Sequence, residues 1–503
     1  MKSDSLAEHL HFGLPLLFSA AGQVLDVQRH SQRIWAGRLR PARSFIAAIV
    51  LGLSAAAANA DHDWSLYSPY TERLHFFRFL EDYTDITQED RAQDWFASIK
   101  KVPLHQDNSY LTFGGDYRYR YEYFQDALFG LLPGDDFELH LNRFMLHGDI
   151  HFGDHFRAFV QLSTFTESGR PFDPAPFDES DPDVQQAFFD IGSNGSYLRL
   201  GRQELVLGSG LLSDVREGPN QRQSFDAARL SLAVGAEARL DAVYAKDVLP
   251  ITGAFEDTSR SGTEFWGVYG SNVAEQWAAT GLDVYYFGID RPAGIYDVGV
   301  ARERRHSLGT RVMGALGAFS YEYEGIYQFG RFGALDIHAW GVRTEHYYTL
   351  SELPFTPRVG LIANATSGDS DPSDGTLGTF DALFPNPSYT TDASIFRPRN
   401  FYELHPVISV DVTDNFNLLL EANFLWRVRK SDAVYAVPGF PLVPGAASNE
   451  RFIGAIFDVI GTWRISPHLT LQGTYVHAVA GDVIKDAGGQ DVDFLLFQSV
   501  FKF

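Results

Sequence analysis

The sequence predicts an all-β protein, a transmembrane antiparallel β-barrel of about 18 strands behind a short N-terminal periplasmic segment. Three observations carry this. From Tyr110 onward, apolar and polar residues alternate in runs of ten or more, longer than the ~5–6 residues usual in globular sheets. Tight and long links between these runs take turns along the chain. The chain closes on Leu495, Phe497, Ser499, Phe501 and Phe503, a period-2 apolar series.

Composition agrees. The 503 residues include 41 Phe, 23 Tyr, 8 Trp and 45 Gly but only three Met, a mixture that favours strands and tight turns over helices. There is no cysteine, which excludes disulfides, Cys-type zinc sites and thiol nucleophiles. A formal charge of −23 argues against a nucleic-acid partner. No run approaches the ~20 apolar residues of a membrane-spanning helix.

Residues 1–60 read as a signal peptide with an N-terminal extension. Arg29, Arg33, Arg38, Arg40 and Arg43 precede the apolar run Phe45 to Ala58, and Ala58-Asn59-Ala60 is a small-x-small cleavage site. A charged n-region, a short h-region and small residues at the cut mark export. Residues 61–106 lack a period-2 pattern and read as a short, partly helical periplasmic lead-in lying on the surface, with a pore plug as the alternative. The barrel proper is assigned to 107–503.

On the first strand Leu111, Phe113, Tyr117, Tyr119, Tyr121 and Tyr123 share one parity, and Thr112, Asp116, Arg118, Arg120 and Glu122 the other. Phe144, Leu146 and Ile150 alternate with Arg143, His147 and Asp149; Tyr321, Tyr323 and Tyr327 with Glu322, Glu324 and Gln328; Leu420, Phe424 and Trp426 with Glu421, Asn423 and Arg427. Eighteen such segments run from 109–124 to 491–503. Links after even strands are tight, as at Gly153-Asp154, Ser193-Asn194-Gly195, Gly235-Ala236, Gly314 to Gly317, Thr413-Asp414-Asn415 and Ser466-Pro467-His468. Links after odd strands are long, at 166–183, 204–224, 247–262, 289–303, 367–399 and 430–450, with exceptions at 330–333 (short) and 271–280 (long). Outer-membrane barrels have this asymmetry, with short periplasmic turns and long extracellular loops. A soluble sandwich would also alternate. The export signal, strand length, loop asymmetry and terminal Phe503 select the lipid-facing barrel, whose outward tyrosines supply interfacial girdles. The ending resembles the assembly signal of outer-membrane barrels, making the assembly machinery a partner through Phe503.

Enzyme signatures are absent: neither Gly-x-Ser-x-Gly nor His-Glu-x-x-His occurs, so a non-enzyme is expected. Gly208-Ser209-Gly210 reads as a turn. His147 and His151 on one strand face are ~13 Å apart, too far to share an ion. Asp369, Asp371 and Asp374 have the alternate spacing of a calcium loop, but Asp374 and Phe380 stand where the EF-hand form places Gly and Glu; a solvated acidic loop is the better reading. No cofactor is expected. The informative set is arginine on the polar parity, with Arg118, Arg120, Arg143, Arg157, Arg199, Arg229, Arg311, Arg427 and Arg429 directed into the lumen and Asp116 and Glu122 among them. Such a row either selects an anion or braces the wall by pairing with the acids.

Several motifs occur in a specific order: Lys100-Lys101-Val102-Pro103-Leu104, Tyr110-Leu111-Thr112-Phe113-Gly114-Gly115-Asp116-Tyr117-Arg118-Tyr119-Arg120-Tyr121-Glu122, Gly201-Arg202-Gln203-Glu204-Leu205, Phe225-Asp226-Ala227-Ala228-Arg229-Leu230, Ser367-Gly368-Asp369, Gly378 to Pro385 and Asp432-Ala433-Val434-Tyr435. Through them, residues 85–503 resemble the alginate-export family of outer-membrane proteins. That resemblance implies a monomeric eighteen-stranded barrel in the outer membrane of a Gram-negative bacterium, with an arginine-lined pore for uronate carboxylates. It carries Arg118, Arg120, Arg202 and Arg229 into that role. The family's late periplasmic loop is replaced here by the tight turn Ser466-Pro467-His468. The expected function is a passive channel for an anionic saccharide or polyuronate such as alginate. The alternatives are a general porin for small organic acids or sugars, or an outer-membrane enzyme.

Overall fold

The computed structural model describes residues 74–105, 108–274 and 280–503; the signal peptide and its cleavage site lie outside them. The eighteen barrel strands, in chain order, are β1 (Tyr110–Gln125), β2 (Phe137–Phe152), β3 (Phe156–Ser168), β4 (Ser180–Ser193), β5 (Ser196–Gln203), β6 (Phe225–Ala233), β7 (Arg239–Leu249), β8 (Glu264–Ser271), β9 (Thr280–Tyr296), β10 (Gly299–Leu316), β11 (Phe319–Phe332), β12 (Leu335–Thr349), β13 (Arg358–Thr366), β14 (Phe401–Thr413), β15 (Phe416–Arg427), β16 (Phe452–Arg464), β17 (Leu469–Ala480) and β18 (Val492–Lys502). Each pairs antiparallel with its sequence neighbours. β18 returns to β1 in the register Asp116↔Lys502 to Gln125↔Asp493, closing the sheet. Closure leaves no unpaired edge, which is what lets strands cross a hydrocarbon layer.

The two faces divide as the alternation requires. On β1, Phe113 and Tyr117 are 47% and 41% exposed, whereas Arg118 between its tyrosines is fully buried. On β2, Phe144 and Leu146 are exposed while Arg143, Met145 and His147 are buried. An arginine facing lipid at the midplane would cost ~2–4 kcal/mol, so a one-residue slip of register is strongly disfavoured. Outward tyrosines close to the rim bond across strands, Tyr117 to Asn142 at 2.7 Å and Tyr121 to Glu138 at 3.0 Å.

Tight turns gather at the end that holds Ser109 and Phe503. Asn194 and Gly195, with φ of 52° and 75°, make the doubly left-handed turn that matches strand twist and suits an Asn-Gly pair. In outer-membrane barrels the end with the tight turns is the periplasmic one. One expected loop is not a loop. Residues 289–303 are mostly strand, because β9 and β10 extend to Tyr296 and from Gly299. Pro292 sits in a register shift between Arg291 and Gly294, where a missing N–H is tolerated.

The other long loops fold inward. Leu205, Leu211 and Leu212 pack with Phe225, Phe265 and Phe287 of the wall and with Phe380 and Phe384 of the 367–400 loop. A second apolar cluster joins Phe129, Ile395, Phe396 and Val434 to Val483 and Ile484 of the helix Asp482–Asp486. The N-terminal segment also goes inside instead of lying on the surface. Its aromatic residues need burial, and Phe79 finds it against inward Phe159 and Phe188, with ring centroids 6.2 and 5.7 Å away. Downstream, the helix Gln88–Gln93 is exposed and capped by Thr87 and Asp90. Trp95 is 74% exposed beside Phe96, which stacks on Phe503 at 5.0 Å.

Candidate functional site: the lumen

The inward parity of β1 and β2 delivers Asp116, Arg118, Arg120, Glu122 and Arg143 to one side of the lumen. There they meet the 204–224 loop. Arg118 donates to the carbonyls of Glu217 (2.6 Å), Gly218 (3.3 Å) and Pro219 (2.9 Å) and to Asn220 Oδ1 (3.2 Å). Arg143 donates to Glu217 Oε1 at 2.6 Å, and Arg222 of the loop lies 3.9 Å from Glu217 Oε2. Burial alone would raise the Glu217 carboxyl, but Arg143, Arg118 and Arg222 outweigh it and hold it down at about 2. Arg120 pairs with Glu122 on its own strand. One carboxylate thus serves three guanidiniums.

The neighbouring arginines are also engaged. Arg157 grips Asp149 at 2.8 Å and the carbonyl of Phe79 at 2.5 Å, which ties the inserted N-terminal segment to the wall. Arg199 forks onto Asp190 at 2.7 and 2.8 Å and covers the Phe188 ring at 3.8 Å. Arg229 bonds Asp241 at 2.9 Å, and Arg311 bonds Glu322 at 2.5 Å. Arg427 is fully buried and donates to carbonyls of Lys430, Asp432, Ser448 and Glu450, so it shapes the 428–451 loop. Two arginines, one placed by the family resemblance and one by polar parity, stand elsewhere than the sequence reading puts them. Arg202 shares the outward parity of Leu198 and is held by Asp226 and the Asp257 carbonyl beneath the 250–263 loop. Arg429 lies past the end of β15 and is exposed.

The N–H groups of Arg143 Nη1, Arg199 Nη1 and Arg222 Nη2 have no acceptor. These donors are buried, and Arg118 Nε likewise lacks an acceptor, so the charge sits inside the wall.

Strand parity misses a second arginine group. Arg397 and Arg399, in the 367–400 loop, and Arg291 and Arg305, on β9 and β10, converge on Asp381 at 3.1, 2.6, 2.6 Å and through Glu303. Burial opposes ionisation of Asp381, yet Arg291, Arg399 and Arg397 keep it well below the usual carboxylate range. The Arg-Pro-Arg stretch at 397–399 was the available signal, but a loop has no period from which to read its direction.

The opposite side of the lumen, from β12 to β17, has a cavity of about 270 Å3. Asp392, Glu403 and Glu421 line it, with Asn364, Thr390 and His405. Of the predicted calcium residues, Asp369 accepts from Asp371 N at 3.2 Å, Asp371 from Ser373 N at 2.9 Å and Asp374 from Thr376 N at 2.8 Å. Each carboxylate closes its own turn.

Sequence and fold comparisons agree with this architecture. The family model described as alginate export matches residues 109–498, from the first strand to the last. The chain belongs to the alginate export family. No curated protein matches it in sequence. Among solved structures, Pseudomonas aeruginosa OccK5 (OpdH) aligns with a TM-score of 0.52 at 10% identity, over 78% of this chain and 98% of that one. OccD3 (OpdP) from the same organism gives 0.54 at 10% identity, over 80% and 93%. OccK2 (OpdF), solved in complex with glucuronate, gives 0.50 at 12% identity, over 79% and 99%. At these identities the likeness is one of fold. Alginate-export membership and the closed barrel make this an outer-membrane channel protein.

Proposed function

We propose that the protein is an outer-membrane channel passing an anionic saccharide or polyuronate, with alginate as the leading candidate. The family match over the whole barrel carries this reading. The chemistry of the β1–β5 wall supports it. Guanidinium stays charged at any working pH and takes a carboxylate through parallel hydrogen bonds. Arg143 and Arg199 place such guanidiniums in the wall, each beside a carboxylate, Glu217 and Asp190. A barrel of the same fold binds glucuronate in its crystal. Arg118 and Arg120 belong to the selecting wall, Arg118 by fixing the 204–224 loop that narrows the lumen and Arg120 through its pair with Glu122.

The channel works as a monomer in the outer membrane of a Gram-negative cell, after removal of residues 1–60, and Phe503 presents the last strand to the assembly machinery. Small organic acids are the second reading, favoured by the inward-folded loops that occupy the lumen. Planar-bilayer recording separates the two. Oligouronates should block current at lower concentration than monomeric acids of equal charge, and Arg143→Gln should weaken that block. Equal block by both favours small acids, and no ionic current from heat-modifiable protein would overturn the channel reading.

A further inference from the structure

The wall from β13 to β17 presents an electrostatic arrangement that anion passage does not explain. Glu421 on β15 and Asp458 on β16 are direct cross-strand partners, and both point inward, Asp458 being 3% exposed. Like charges directly opposite one another repel, and burial sharpens the repulsion. Asp392 of the 367–400 loop stands over the same wall, where Gln472 and Thr474 bond its Oδ2 at 3.0 Å each, and its neighbour Thr391 bonds Asp458 Oδ2 at 2.9 Å. Glu403 on β14 is bonded only by neutral amides, from Asn364 and from Asn423 at 2.8 Å. Among the described residues, no lysine or arginine makes an ion pair with any of these four carboxylates; Arg343, which also lines the cavity, pairs instead with Glu322 and Glu345.

A second, independent observation concerns neutral groups. Asn364 Oδ1, Asn423 Oδ1, Thr390 Oγ1 and His405 Nε2 are buried without a hydrogen-bond partner, as is Asp458 Oδ1. Asn364, Thr390 and His405 line the 270 Å3 cavity together with Asp392, Glu403 and Glu421. Every one of these orphaned atoms can accept a hydrogen bond. Buried polar atoms in folded proteins almost always find partners, and a cationic ligand with several N–H donors would suit both these acceptors and the carboxylates beside them.

We propose that this cavity is a binding subsite for a small organic cation bearing a guanidinium or ammonium group. A bare metal ion fits less well. Among the described residues no three His, Asp or Glu side chains converge closely enough to hold one, and neutral amide oxygens spread around a cavity suit a ligand with several separated N–H donors. The volume, at the lower edge of the ~300–1,000 Å3 typical of ligand sites, suits a solute of amino-acid size. The inference goes beyond anion passage, since it uses the opposite wall and the opposite charge.

The test is titration calorimetry of the full-length, detergent-solubilised barrel with agmatine, run alongside agmatine block of bilayer current. Wild type should bind agmatine and be blocked by it, and the Glu421→Gln/Asp458→Asn pair should weaken both at least tenfold. Asp458→Asn alone, checked for heat-modifiability, guards against a misfolded double variant and should weaken binding by a smaller factor. Block by oligouronate should persist in both, which separates failure here from failure of the anion reading. No agmatine heat in wild type, or binding unchanged in the variants, would overturn the proposal and leave a proton shared by Glu421 and Asp458. Heat from calcium alone, without heat from agmatine, would overturn the ligand class.

Discussion

The β1–β5 wall and the β13–β17 wall both bury charge, and they do so in opposite ways. In the first, Arg118, Arg143 and Arg222 surround Glu217, and Arg157 and Arg199 each hold a carboxylate. The interactions there knit loop and N-terminal segment to the barrel. In the second, Glu421 opposes Asp458 across the ladder, and neutral side chains alone bond Glu403 and Asp392. A wall whose charges are paired fixes moving parts, whereas a wall whose charges are left over must recruit something else. Removing a charge should therefore weaken the first wall and relieve the second.

The largest effect is expected from Arg118→Glu. It sets a second carboxylate against Glu217 and removes the donor for three loop carbonyls. The loss should exceed the ~3–5 kcal/mol that breaking a buried pair costs. The 204–224 loop should then leave the lumen, so that conductance rises and trypsin cuts at Arg216 and Arg222. An unchanged conductance and an uncut loop would mean that the arginine does not hold it.

Glu217→Gln comes next, at about 3–5 kcal/mol, because three guanidiniums lose their shared anion. It also has a pH signature. Glu217 titrates near 2 in the folded protein, below the ordinary glutamate value of ~4.3. Its stabilisation is full above that ordinary value and is lost as pH falls through the interval toward 2. Wild type should lose loop protection from trypsin pretreatment across that interval, and the variant should show no such step. A step of equal size in both would assign it to other carboxylates.

Phe79→Ala should cost roughly 3 kcal/mol of docking for the inserted segment, in the range for a buried phenylalanine. Brief high-conductance openings in single-channel records are the expected readout; records identical to wild type would place the segment outside the conducting path. The smallest effect has the opposite sign. Asp458→Asn, without ligand, should stabilise the barrel by up to ~1 kcal/mol, the scale of a cross-strand like-charge contact, measured by urea unfolding in detergent. Destabilisation would break the contrast between the walls.

Most of the barrel was legible because a strand repeats every two residues. Tyr117, Arg118 and Tyr119 declare their faces without any partner in view. Strand count and loop asymmetry followed, apart from 289–303, which was read as a loop and is strand with a bulge at Pro292. Lumen contents were less legible. Arg118 was found, but its carbonyl partners at 217–219 lie about a hundred residues away in a loop without a period. Arg397 and Arg399 were missed for the same reason. Glu421 was read as inward, yet its meaning depends on Asp458, and register between two strands is invisible in either one alone.

Arg78 sits where the first and last strands join. Its guanidinium donates to the carbonyls of Gly115 at 2.7 Å and Phe503 at 2.6 Å, and those two residues bond each other through their backbones at 3.0 Å. One side chain near the start of the described chain thus depends on an oxygen belonging to its final residue. That oxygen reaches its position only when the last strand has paired with the first and the cylinder has sealed. Docking of the N-terminal segment consequently reports closure of the ring, and its resistance to digestion would serve as a clock for maturation.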